Sequence, residues 1–315
     1  MPRGGQAQRP AGDALVALLS GGTGGAKLAR GLLDVADDLA VVANTGDDVE
    51  MHGVHVSPDP DLVTYWLADA IDERGYGIRG DTWREMEAAE TAGRPAWFRL
   101  GDRDLEMCRL RTERMRAGRR LTEAHAAVVE AMGVTARVLP MCDEPVATHV
   151  TARGRALPFQ EFMILERAEG PVEAVELRGV ASARPTPEVL ATLAGAEAIV
   201  IGPSNPVISI GPILAVPGMR EAIAGSPAPV VAVSPFVGGR ALKGPTELFC
   251  HFAGIEIGAA GIATAYGDLL DGMVADEHVE GMPCLVTGTV MDSPGSRRRL
   301  AAETLEFARS LYSRA

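Results

Sequence analysis

The chain has 315 residues, of which 47% are hydrophobic and 23% charged, with a formal net charge of −12. Wholesale disorder is excluded by that balance, and the length supports one large domain or two modest ones with a core that needs no disulfide staples. Acidity and an aromatic content of only 4% argue against nucleic acid or an anionic membrane as partners, whereas small phosphorylated ligands stay compatible, because backbone amides or a bound cation can hold them locally.

Residues 1–13 read as a flexible tail and residues 14–315 as one Rossmann-like domain. An apolar run over residues 14–19 ends in Ser20-Gly21-Gly22-Thr23-Gly24-Gly25-Ala26-Lys27, and an amphipathic stretch over 26–36 follows. That order is strand, glycine turn, helix. A second apolar run, 39–44, ends at Thr45-Gly46-Asp47-Asp48. Residues from about 61 to 134 carry helical spacing and composition, and read as a helical insertion over the sheet. Within it, Leu100-Gly101-Asp102-Arg103-Asp104 reads as a turn with Asp104 as the N-cap of a helix. From about 146 to 180 the apolar segments are short and alternating, FQEFMIL (159–165) among them, as in an antiparallel hairpin or meander.

The runs at 198–206 and 230–239 repeat the early form, with helical patterns at 187–195 and 219–225 preceding them in turn. The stretch 281–291 reads as a strand, and 296–314 as a closing amphipathic helix capped by Ser293 or Ser296. Continuous apolar runs separated by helices indicate an α/β fold: a parallel sheet with helices on both faces. Ligands in such folds bind beyond the carboxyl ends of the strands. No stretch approaches the roughly 18 apolar residues of a membrane span. Cys108, Cys142, Cys250 and Cys284 are scattered without a Cys-x-x-Cys pair, and read as small buried hydrophobes of a reducing compartment, hence a cytoplasmic protein.

Three segments carry chemistry. The glycine turn is not a Walker loop, since Ala26 and Leu28 stand where Gly and Ser or Thr belong. Lys27 at the third glycine position also weakens a dinucleotide fingerprint. Its physical content survives: Gly21, Gly22, Thr23, Gly24 and Gly25 let backbone N–H groups approach a phosphate at a helix N-terminus, and Lys27 adds charge. Next, Asn44 leads into Asp47 and Asp48, with Asp59 and Asp61 close behind. Four carboxylates in so short a span repel one another unless a cation sits among them. Mg²⁺ takes one or two carboxylates plus phosphate oxygens, which makes Asp47 and Asp48 the expected ligands. His52 and His55 form an H-x-x-H pair in an extended segment and read as loop or strand residues, not ligands. Third, Ser204 and Asn205 are the polar ends of a loop stiffened by prolines. Asp102 and Arg103 stand within reach of a polar substrate.

In order along the chain, LSGGTGGAKLARGL, NTGDD, SPDPDLVTYWLAD, LGDRD, LPMCDEPVATHV, IGPSNPVISIGPI and VVAVSPFVGG resemble the CofD/FbiA family of phospholactate transferases in coenzyme F-420 biosynthesis. Two segments depart from the family pattern: Pro60 within SPDPD, and FVGGRALKGPTE. The resemblance implies a reaction. A guanosine diphospho-acid, whose three-carbon acid is lactate, enolpyruvate or glycerate, gives its phosphorylated unit to the ribityl hydroxyl of the deazaflavin Fo, and GMP leaves. It further implies Mg²⁺ as cofactor and a homodimer. The glycine turn, Lys27, Asn44, Asp59, Asp102, Arg103, Ser204 and Asn205 would bind substrate, and Asp47, Asp48 and Asp61 would be catalytic. A UDP-sugar-binding regulator resembling the YvcK family is the runner-up. Its acidic segment followed by Gly-Gly-Ser-Ser is absent here.

Overall fold

The computed structural model describes residues 14–312; the tail expected at 1–13 lies outside the described residues. Seven strands form one parallel sheet in the spatial order Cys284–Val286, Gly272–Ala275, Val230–Val233, Ala198–Ile201, Leu15–Ser20, Asp38–Ala43, Arg137–Pro140. The fold is α/β, as its alternation of apolar runs and helices indicates. The interior strand Leu15–Ser20 shows why those runs are continuous. Val16 and Leu18 enter one apolar cluster and Ala17 and Leu19 the other, and all four are fully buried. A strand covered on both faces has no polar position to offer.

From Leu15–Ser20 the chain moves outward through Asp38–Ala43 to Arg137–Pro140. It then returns to Ala198–Ile201 on the other side and moves outward again. The strand order therefore reverses between Leu15–Ser20 and Ala198–Ile201, which opens a crevice at their carboxyl ends.

Two expectations about local structure are corrected. FQEFMIL is not a strand: residues Phe159–Ile164 form a helix, with Phe159 and Phe162 both buried on one face and Phe162 edge-on to Phe249 at 6.0 Å. Spacing of three, not two, places both rings in the same core. The three strands around it, Ala147–Ala152, Arg155–Pro158 and Val172–Arg178, do form an antiparallel meander.

Asp104 is not an N-cap either. The helix is Asp102–Arg116, and its first N–H groups, those of Arg103 and Asp104, donate to Asp81 at 2.8 and 3.0 Å. Asp102 in return accepts from the N–H groups of Arg84 and Glu85 at 3.1 and 3.0 Å, capping the Arg84–Thr91 helix. Each carboxylate caps the other's helix, a reciprocity across about twenty residues that local spacing does not reveal. A short hairpin, Val49–Met51 with Val54–Val56, precedes the helical insertion and leads into the helix Pro58–Leu67. At the C-terminal end only Cys284–Val286 pairs in the sheet. The stretch after it runs irregularly to the Pro294–Tyr312 helix, whose first turn is capped by Ser293 Oγ accepting from Ser296 N–H at 3.1 Å.

Candidate functional site

A cleft of about 450 Å³ lies at the reversal point of the sheet. One wall is the helix Gly22–Leu33, which begins directly after the strand Leu15–Ser20 and has no side-chain cap. Its glycines serve two different needs. Gly22 sits at φ +64° with open space around it, a backbone conformation that side chains resist. Gly24 is set by packing, because a Cβ there would stand 2.0 Å from the carbonyl oxygen of Pro203. The helix start is thus pressed against the 203–205 loop, and Ser204 Oγ donates to the Gly21 carbonyl oxygen. Gly24→Ala should force the two loops apart. We expect a fall in thermal midpoint together with weakened nucleotide binding, measured by differential scanning fluorimetry and calorimetry; a variant matching wild type in both would contradict the packing argument.

The opposite wall carries acids. Asp47 is 9% and Asp59 6% exposed, and both line the cleft. Asn44 Nδ2 bridges them, donating to Asp47 Oδ1 at 3.1 Å and to Asp59 Oδ2 at 2.9 Å. Asp59 Oδ1 also accepts the Gly22 N–H at 2.6 Å, so a carboxylate occupies the first orphan donor of the glycine-rich helix. Asp59 reaches this point because Pro58 starts its helix and puts it in the first turn. Burial, followed by the charges of Asp59 and Asp48, pushes the Asp47 carboxyl well above the usual range. Burial likewise raises Asp59, to about 6, against the hydrogen bonds from Asn44 and Gly22. Among the described residues neither makes an ion pair. Two buried carboxylates with only a neutral amide between them form a donor set that fits a hard divalent cation.

The other sequence-derived candidates divide. Gly21, Thr23, Lys27, Ser204 and Asn205 line the same cleft. Asn44 stands behind the acid pair, fully buried. Gly25 is packed against Ser20 and Ser204. Asp48 points the other way, accepting from Ser57 Oγ at 2.8 Å and paired with His55 Nε2 at 2.9 Å. Asp61 lies in a buried bidentate pair with Arg111, at 2.5 and 2.9 Å. Asp102 and Arg103 stand outside the cleft lining, held in the helix-cap exchange. Sequence reasoning did not single out Ser209, Thr289 or Asp292, which also line the cleft; Lys243, which it marks only as part of a proline-stiffened Lys-Gly-Pro loop, lines it too. They come from loops far apart in the chain and carry no local motif. Among the described residues Asn205 Nδ2 and Thr289 Oγ1 are buried without a hydrogen-bond partner.

Three groups beside or behind the cleft set a pH response. Asp59 sits at about 6, and Asp104, raised chiefly by burial and then by Asp61, at about 7; His125, fully buried, is lowered to about 4. From pH 6.5 upward the histidine is neutral in the fold and at most half protonated when unfolded, so its opposing contribution is the smaller one and fades as pH rises. The two acids still hold protons in the folded state that they release on unfolding, so stability falls as pH rises from 6.5 to 8. Metal-free protein should therefore melt at a lower temperature at pH 8 than at pH 6.5. A flat or rising trend in scanning calorimetry would refute this.

A reversal-point cleft of this kind defines an α/β protein that binds its ligand at the carboxyl ends of the sheet strands. The chain belongs to the CofD family: the family model described as 2-phospho-L-lactate transferase CofD matches residues 16–282, and the chain is a transferase. It is 38% identical over 312 residues to a phosphoenolpyruvate transferase of Kitasatospora aureofaciens, covering 93% of this chain and 97% of that one. It is 40% identical over 264 residues to a 2-phospho-L-lactate transferase of Methanosarcina mazei, covering 83% and 86%. The curated relatives named here are transferases, and neither supports a UDP-sugar-binding regulator. Among solved structures it resembles a Bacillus halodurans protein at TM-score 0.57 and 17% identity, covering 92% and 91% of the two chains. That likeness concerns the fold alone.

Proposed function

We propose that this chain transfers the phosphorylated three-carbon acid of a guanosine diphospho-acid to the ribityl hydroxyl of the deazaflavin Fo, releasing GMP, as a step of coenzyme F-420 biosynthesis. The observation that carries the reading is the meeting of Asp47, Asp59 and the start of the glycine-rich helix in one cleft, in a chain of this family. In the reaction the hydroxyl oxygen forms a bond to the phosphorus distal to guanosine. The bond from that phosphorus to the bridging oxygen breaks, and GMP departs with the bridging oxygen. The hydroxyl proton passes to a cleft carboxylate, Asp47 or Asp59, whose burial raises its affinity for protons.

Positioning and charge neutralisation dominate such transfers. Free N–H groups of the first helical turn and Lys27 hold the diphosphate, while Ser204 and Asn205 fix the nucleotide. Of Asp47 and Asp59, the carboxylate that does not take the proton would hold Mg²⁺, which when bound neutralises the charge on the diphosphate. The reading includes a homodimer working in the cytoplasm; among the described residues no helix is long and apolar enough to cross a membrane. Mass spectrometry of reactions with Fo and each of the lactate, enolpyruvate and glycerate donors should show GMP and one F-420 precursor. Absence of product with all three would overturn the proposal.

A further inference from the structure

Of the 30 Lys and Arg residues in the chain, only Lys27 and Lys243 are lysines. Both line the same cleft. They arrive from unrelated places: Lys27 from the second turn of the Gly22–Leu33 helix, Lys243 from the loop after Arg240–Ala241. In a chain that otherwise uses arginine, the two lysines are a pattern that neither strand nor helix formation explains. Lysine differs from arginine in offering a compact, turnable charge with three donors.

The surroundings fit an anion. Lys27 Nζ stands 5.8 Å from the centre of the Trp66 ring, and the Arg297 guanidinium stands 5.1 Å from the same ring. Lys243 Nζ lies beside Gly75, where a Cβ would stand 3.7 Å from it. Among the described residues neither lysine makes an ion pair. Burial lowers the Lys27 amine, and Lys243 and Arg297 lower it further, with Asp292 acting in the opposite sense. Asp292, on the cleft wall, is itself engaged by Ser296 Oγ at 3.0 Å. Cations that repel one another across an open cleft gain from an anion between them.

We propose that Lys27 and Lys243 form a two-lysine oxyanion subsite beside Trp66, and that it grips a carboxylate or phosphate oxygen of the donor. This rests on the donor reading above.

The test is calorimetric titration of wild type, Lys27→Gln, Lys243→Gln and the double variant with GDP and with a guanosine diphospho-acid. Each glutamine should weaken the acid-bearing nucleotide about tenfold, in line with the loss of one charge-assisted hydrogen bond. An equal loss for GDP places the lysines on the diphosphate; unchanged GDP affinity places them on the carboxylate. Acid-bearing affinities within twofold of wild type in both single variants would overturn the subsite. If wild type binds neither guanosine compound, the donor reading fails instead, and inorganic pyrophosphate then decides the lysine pair. Binding that the double variant loses upholds the pair; binding it keeps, or none in wild type, overturns it.

Discussion

Asp59→Asn is expected to lower turnover by about 100-fold or more while leaving the fold intact. Residues that only touch a metal ligand typically cost about 10–100-fold when altered, and under the proposed function, in which Asp59 would hold the cation or take the proton, its loss should cost no less. The change keeps the shape of the side chain. It forfeits one hydrogen bond with Asn44 but also removes a buried charge that repels Asp47. These effects oppose each other, so the thermal midpoint should fall by no more than about 3 °C. Activity and stability thereby separate, as they do where a site is built at the expense of stability. Asp48→Asn is the informative control. Its carboxylate serves His55 and Ser57, away from the cleft, and its loss should register in stability more than in Mg²⁺ dependence. Wild-type turnover in Asp59→Asn, or a steeper loss of Mg²⁺ response in Asp48→Asn, would move the cation to other ligands.

The contrast between Asp47 and Asp48, and between Asp59 and Asp61, marks where sequence stops being legible. The glycine turn, the apolar runs and the order of helices and strands follow from short-range pattern, and the parallel sheet follows from runs that leave no polar position. Four aspartates in two tight pairs also announce themselves as a charge problem. What spacing does not tell is which member of each pair faces the cleft. Asp59 and Asp61 both lie in the first turn of one helix. One meets the Gly22 N–H and the other meets an arginine fifty residues on. That arginine reads from sequence as one of many charges on a polar helix, DRDLEMCRLRTERMR. The lysines could have been found by counting, since only two exist.

Arg111 explains how the unused aspartates still matter. Its guanidinium is fully buried. It binds both Asp61 oxygens and, through Nη2, the His55 carbonyl oxygen at 2.8 Å. His55 in turn holds Asp48, the neighbour of Asp47, while Asp61 lies two residues beyond Asp59. One side chain from the insertion thus ties down both segments that carry the cleft carboxylates. Arg111→Met should leave Asp61 buried without its countercharge and cost about 3–5 kcal/mol of stability in urea denaturation. Adding Asp61→Asn removes the stranded charge, so the double variant should recover most of that loss. It does not restore the grip on His55, and turnover should stay below wild type even where the fold is stable again. A single variant within about 1 kcal/mol of wild type would mean that the pair is solvated and contributes little. Full turnover in the stabilised double variant would show that Asp47 and Asp59 keep their places without Arg111.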